Sequence, residues 1–302
     1  DLFNPTGALS RADAAEWIVK TFKLSTIHSM KIEEEIEKKF VYTDPLGVID
    51  EAFVVPSAKD IVDIEGEEYI EGLIKVRAEE VVNGEYRPFE PITAAEFGLA
   101  VAKVLFGVDE PVDYEAKLRE LVYVPAELLS LNRPLRREEA AQILSNFVEN
   151  PNFKIITMLA TADIHGHIEP YLPSGAKYPV GAVEKMAHYV KTERAIQPNL
   201  LLLDVGDAPY NTNVANLFEG EPVIKIMNMM GYDAMVLGNH DFDFPFNVME
   251  RNSKLANFPF LGANTLYLGE SPYFLEPYII KEVDGIKIAI VGLTDDSSAW
   301  YT

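Results

Sequence analysis

Asp163-Ile164-His165, Gly206-Asp207 and Gly238-Asn239-His240-Asp241 occur in that order along the chain, each after a short apolar run. Two carboxylates, an imidazole and a carboxamide brought to one point are what a pair of divalent cations needs. Asp163 and His165 are two apart, so in an extended segment they point the same way and can ligate one ion. Asp207 follows Gly206, whose missing side chain lets the backbone turn sharply and bring the carboxylate in. One carboxylate there can bridge two ions at the usual two-metal spacing of roughly 3.5–4 Å. Asn239 then gives the second ion a neutral oxygen. Asp-x-His and Gly-Asp are weak signals singly; the ordered set is strong. Oxygen and imidazole donors accept Zn, Mn, Mg, Fe or Ca in varying degree, so the metal identity stays open.

The elements that must position these residues are legible as apolar runs. Residues 155–160, 200–203 and 234–237 read as the buried strands that precede the three motifs, with 258–262 and 286–291 as further strands. Helical segments fall between them near 183–193, 222–230 and 246–256. This alternation predicts an α/β sandwich with a largely parallel sheet. In such a sheet the loops leaving the carboxyl ends of the strands converge on one crevice.

The motif set resembles the calcineurin-like metallophosphoesterases, and more closely their 5′-nucleotidase branch. The resemblance extends over residues 153–302. It is carried by Thr161-Ala162-Asp163-Ile164-His165-Gly166-His167-Ile168-Glu169-Pro170, by Leu202-Leu203-Asp204-Val205-Gly206-Asp207, and by the block from Met229 through Gly238-Asn239-His240-Asp241-Phe242-Asp243. Phe258-Pro259-Phe260-Leu261-Gly262-Ala263-Asn264 also has its counterpart. By position, the resemblance implies that Asp163 and His165 bind the first metal, that Asp207 bridges and that Asn239 binds the second. His240, oriented by Asp243, then stabilises or protonates the departing oxygen. The two divalent ions would activate a water and clamp the phosphoryl group for in-line attack. His167 reads as an ordinary polar loop residue with a lesser claim on substrate. His28 and His188 read as structural, Asp204 as a loop support, and Asp295 and Asp296 as neighbours of the cleft.

The first half carries a faint repeat. Aligning Ser10, Thr93 and Arg136 places a small residue five positions on (Ala15, Gly98, Ala141) and apolar residues eight and twelve on (Ile18, Val101, Leu144; Phe22, Leu105, Val148). Ser10 with Asp13 and Thr93 with Glu96 have helix-capping spacing. The pattern resembles the S-layer homology domain over about residues 1–150, the lead-in Asn83-Gly84-Glu85-Tyr86-Arg87-Pro88 included. The interval from Ser10 to Thr93 is about twice that from Thr93 to Arg136, which predicts an insertion around residues 31–39. The resemblance implies an α-helical repeat domain that binds an anionic cell-wall polymer. Arg11 and Arg137 are the candidate contacts and Trp17 a weaker one. The alternative is that Trp17 is core and the arginines pair with neighbouring carboxylates. Glu149-Asn150-Pro151-Asn152 forms the joint between the halves.

Composition narrows the classes. A formal charge of −22 argues against a nucleic-acid-binding surface. With no cysteine there is no disulfide, zinc thiolate or thiol nucleophile. No apolar run approaches the roughly 20 residues of a membrane span. A start at Asp1 without Met or signal peptide fits a mature secreted product. In the resembled family, further histidine ligands follow the strand corresponding to residues 286–291. Here no histidine lies beyond His240, so a fragment of a longer enzyme is expected. The reading is an extracellular, cell-surface phosphoesterase acting on nucleotides or related phosphate esters, with surface-layer neighbours among its partners. Its rival is a structural surface-layer protein that uses the fold as a non-catalytic lattice block.

Overall fold

A computed structural model describes residues 4–24, 69–70, 73, 85–107, 132–170, 183–266, 272 and 274–294. The expected insertion at 31–39, His28, Asn83, Gly84, Asp295 and Asp296 lie outside the described residues. The chain divides into two compact units, Asp1–Ile155 and Ile156–Thr302.

In the first unit, helices α1 (Arg11–Phe22), α2 (Ala94–Phe106) and α3 (Arg137–Val148) begin one residue after Ser10, Thr93 and Arg136 respectively. Ser10 Oγ accepts the Asp13 amide at 3.1 Å. Thr93 and Glu96 cap reciprocally: Thr93 Oγ1 accepts the Glu96 amide at 3.2 Å, and Glu96 Oε2 accepts the Thr93 amide at 2.8 Å. In the third copy Glu139 reaches back to the Arg136 amide at 3.0 Å. These bonds satisfy donors that a helix start otherwise leaves without partners.

The residues leading into the three helices close a ring. The Leu9 amide donates to Leu135, Leu135 to Ile92, and Ile92 to Leu9, at 2.8, 2.9 and 3.0 Å. All three side chains are fully buried. Ile18, Val101 and Leu144 are buried at equivalent positions, whereas Val148 is 70 % exposed. Phe147 takes the inward place beside it and meets Phe22 and Phe153 edge to face. Phe153 and Ile155 pack on this core, so the chain stays with the first unit past the expected joint.

The second unit holds a five-stranded parallel sheet in the order β1 (Met158–Thr161), β2 (Leu201–Asp204), β3 (Ala234–Val236), β4 (Phe260–Leu261) and β5 (Leu275–Glu276). Helices α4 (Val183–Ile196), α5 (Asn213–Leu217), α6 (Glu221–Met230) and α7 (Phe246–Leu255) form the connections, with α6 packed against the other three. Leu202, Met235, Leu237, Ile224 and Met227 centre the core. Strand order follows chain order among the described strands, without the reversal that makes a switch point. The site is therefore built on the carboxyl rim of three adjacent strands.

The strand expected at residues 286–291 is present, in a second sheet: β6 (Tyr278–Val283) and β7 (Ile286–Val291) pair antiparallel as a separate hairpin. Asp284 and Gly285 join them with φ of 49° and 81°. Two positive φ values make the mirror-image turn that matches strand twist, for which Asp-Gly is a favoured pair.

Candidate metal centre

Beyond β1 and β2 the parallel pairing gives way to a zipper between two loops. The amides of Asp163, His165 and Gly166 donate to the carbonyls of Gly206, Asp207 and Ala208 at 3.1, 2.9 and 2.9 Å. This holds the first two motifs in register. The segment is not extended, as the two-apart argument assumed. Asp163, His165 and Asp207 have φ of 53°, 48° and 61°, in the left-handed region. Asp and His enter that region more readily than most residues, at a conformational cost that surrounding bonds must offset. Alternating backbone handedness, not the strand pleat, brings Asp163 and His165 together. His165 Nε2 lies 3.5 Å from Asp163 Oδ1.

The third motif arrives from β3. Gly206, at φ 110°, lies back to back with Gly238: a Cβ on Gly206 would fall 2.5 Å from the Gly238 nitrogen. A Cβ on Gly238 would fall 2.4 Å from Asp207 Oδ1. Both glycines are needed for the loops to close on the Asp207 carboxylate. His240 opens a 3-10 helix, His240–Asp243, and its amide donates to Asp207 Oδ1 at 2.7 Å. Its ring Nδ1 lies 2.7 Å from Asp243 Oδ2. Half-buried Asn239 is the residue just before this turn.

Ligand atoms of Asp163, His165 and Asp207 lie within 4.8 Å of one another. The buried His165 Nδ1 has no hydrogen-bond partner among the described residues. Asp204 sits beneath, accepting from Thr161 Oγ1 at 2.6 Å and from the Gly206 amide at 3.0 Å. Burial pushes its carboxyl up to about 7 against those two bonds, and the charges of Asp207 and Asp163 add to the rise. Burial likewise pushes Asp241 up to about 8, against the amides it accepts. Two carboxylates, Asp163 and Asp207, clustered with an imidazole nitrogen and backed by the buried acids Asp204 and Asp241 fit a bound cation, whose charge would relieve the repulsion.

Two participants were not assigned from sequence. Asp241 accepts the amides of Asp207 and Gly238, although it lies inside the motif that was read. Tyr210 stacks on the His240 ring, centroids 5.9 Å apart and planes within 8°. Its only sequence signal was an aromatic residue three positions past Asp207. His188 lies on α4, where its carbonyl accepts from Thr192. His167 is in the loop after Gly166, its amide bonded to Ile164.

Arg11 and Arg137 are engaged within the first unit. Arg11 is 9 % exposed, bonded to the Tyr86 carbonyl and Glu96 Oε1, both at 3.1 Å, with its guanidinium over the Tyr86 ring. Its pairing with Glu96 is of the kind that the alternative reading of the arginines expects. Arg137 pairs with Asp13 at 2.6 Å and lies over half-buried Trp17.

No family profile matches the chain. It is 36 % identical over 145 residues to protein UshA of Yersinia enterocolitica, covering 48 % of this chain and 26 % of that protein. The same identity and coverage hold for a 5′-nucleotidase of Vibrio cholerae. A 5′-nucleotidase precursor from Thermus thermophilus aligns with a TM-score of 0.45 at 32 % identity, covering 48 % of this chain and 29 % of that one. The chain thus spans about a quarter of the length of the curated relatives. About half of the chain is thus similar in sequence to part of a 5′-nucleotidase.

Proposed function

We propose that the chain belongs to a two-metal phosphoesterase of the calcineurin-like type that hydrolyses nucleotides or related phosphate esters outside the cell. The observation that carries this reading is the convergence of Asp163, His165 and Asp207 on one point, with the His240 amide tied to the same Asp207 carboxylate. Asp163, His165, Asp207 and Asn239 would hold the ions. Divalent ions bound there would supply an activated water and neutralise phosphoryl charge.

The chain's own groups do the rest. Asp243 accepts from His240 Nδ1 and its charge would favour the doubly protonated ring, whose Nε2–H would pass its proton to the departing ester oxygen and leave the neutral Nδ1–H form. The zipper between residues 163–166 and 206–208 fixes the acidic groups before substrate arrives, so little reorganisation remains at reaction. The relatives named 5′-nucleotidase support a nucleotide substrate.

For the first unit we infer an S-layer-homology-type anchor for a cell-wall polymer. Support comes from the three equivalent helix starts and the ring through Leu9, Ile92 and Leu135. Arg137 against Trp17 and Arg11, which also ties Tyr86 and Glu96 together, stay the candidate contacts.

The test uses the full-length chain, stripped with chelator and titrated with Mn or Zn. Two ions per chain and metal-dependent phosphate release from a nucleoside 5′-monophosphate are expected. Tight binding of neither metal, or release that is unaffected by Asp207→Asn, would overturn the phosphoesterase reading.

A further inference from the structure

We propose that Tyr210 is a positioning residue for His240: its ring holds the imidazole in the orientation that meets Asp243. This rests on the phosphoesterase reading for its consequence in catalysis, though not for the contact itself. Three constraints act on the His240 ring. Asp243 Oδ2 takes Nδ1 at 2.7 Å. The His165 ring meets it edge to face, centroids 5.1 Å apart at 71°. Tyr210 lies parallel to it. The His240 side chain is 43 % exposed, so no core packing fixes its rotamer. An exposed imidazole held by one hydrogen bond exchanges rotamers; an aromatic wall removes that freedom.

Tyr210 is itself well held. Phe244 backs its ring edge to face at 5.2 Å. It lies between Pro209, whose ring restricts φ, and Asn211, at φ 107° with its amide bonded to Asn216 Oδ1 at 2.9 Å. The wall therefore belongs to the same loop that carries Asp207, and it reaches over to the residue that loop does not contain. Tyr210 stacks on the imidazole and is not itself one of the proposed ligands, which sets its expected effect apart from that of a ligand.

The experiment compares Tyr210→Leu and Tyr210→Phe in the full-length chain. The first readout is the His240 imidazole in the metal-free protein. In a His-labelled nitrogen–proton spectrum the His240 signal is assigned by its loss in His240→Asn. Tyr210→Phe should preserve both the ring-current shift and the single tautomer; Tyr210→Leu should lose the shift and show exchange between tautomers. The second readout is hydrolysis of a nucleoside monophosphate. Tyr210→Leu should lower kcat about 3- to 10-fold, the scale of one aromatic pair, with KM and metal stoichiometry unchanged. Tyr210→Phe should restore the rate.

An unshifted His240 signal in Tyr210→Leu would overturn the proposal, as would equal impairment of both variants. If the wild-type chain hydrolyses no phosphate ester, the phosphoesterase reading fails and the spectrum still decides the positioning role. If His240→Asn lowers the rate and Tyr210→Leu does not, only the positioning role fails.

Discussion

Asp241 Oδ2 accepts the backbone amide of Asp207 at 3.0 Å, and the Gly238 amide reaches the same oxygen at 2.8 Å. A carboxylate from the third loop thus sits behind the backbone of the second while remaining outside the ligand cluster. Because the His240 amide bonds the Asp207 carboxylate from the other side, Asp207 is fixed at both its backbone and its side chain. Asp241→Ala leaves two amides in a buried place without an acceptor, which costs about 1–3 kcal/mol for each group left unsatisfied. The expected outcome is a lowered urea midpoint together with metal affinity reduced about 10- to 100-fold, the usual range for groups that orient ligands. Calorimetric titration alongside unfolding checks it. Unchanged metal affinity in a folded Asp241→Ala chain would show that Asp207 is positioned without this bond.

The two glycines at the closure of the site should respond differently to a single methyl group. Gly206→Ala meets backbone, the Gly238 nitrogen at 2.5 Å, and must hold alanine at φ 110°. Loss of stability of at least about 2 kcal/mol is expected, since neither the clash nor the backbone angle can relax locally. Gly238→Ala meets the Asp207 carboxylate, with Oδ1 at 2.4 Å, and also the Asp207 backbone nitrogen at 2.8 Å, at a residue whose φ is not positive. Metal binding should fall along with stability, because the atom displaced belongs to a candidate ligand. Thermal melts with and without Mn separate the two: the metal-induced rise in Tm should be smaller for Gly238→Ala than for the wild type.

Much of this site was legible because residue type and strand order are sequence properties. Apolar runs located β1, β2 and β3 to within a few residues, and the ligand candidates follow directly from their ends. The backbone handedness at Asp163, His165 and Asp207 was not legible. It comes from hydrogen bonds between loops more than forty residues apart in sequence. Tyr210 was missed for a similar reason: its partner His240 belongs to another loop, and no periodicity links them. The hairpin of β6 and β7 could have been read, since Asp284-Gly285 between two apolar segments is a local signal. In the first unit the repeat register was readable from Ser10, Thr93 and Arg136. The burial of Arg11 was not, because the covering Tyr86 and Glu96 come from the next copy.

The His240–Asp243 pair should separate chemistry from binding. His240→Asn removes the proposed proton donor without touching the Asp207 carboxylate directly, so kcat should drop about 10²- to 10⁴-fold with metal stoichiometry retained. Asp243→Asn keeps a hydrogen-bonding group beside Nδ1 but loses the charge that favours one tautomer. A smaller loss is expected, with KM near the wild-type value. Steady-state kinetics on a nucleoside monophosphate provide the check. Equal losses in kcat and metal affinity would mean that His240 serves the ions and not the leaving group.

Acid should weaken the first unit through Glu139. Arg133 grips this carboxylate in a fork, at 2.5 and 2.9 Å, and Arg136 adds a third guanidinium contact at 3.0 Å. The Arg133 bond is the largest cause holding Glu139 far below the ordinary 4.5, and its side chain is only 12 % exposed. A depressed folded value means that the unfolded chain takes up the proton first. The stabilisation is therefore fully present above the unfolded value of about 4.5 and is lost progressively as pH falls toward the folded one. Glu139→Gln should be less stable than wild type at pH 7 by on the order of 1–2 kcal/mol, through the lost charge-assisted bonds and the weakened cap of α3. That difference should shrink steadily below about pH 4.5. Trp17 packs on the core of this unit, so its emission in a Trp300→Phe background follows unfolding there. A Glu139→Gln difference that stays constant from pH 7 to pH 3 would place the stabilisation in packing and not in the arginine fork.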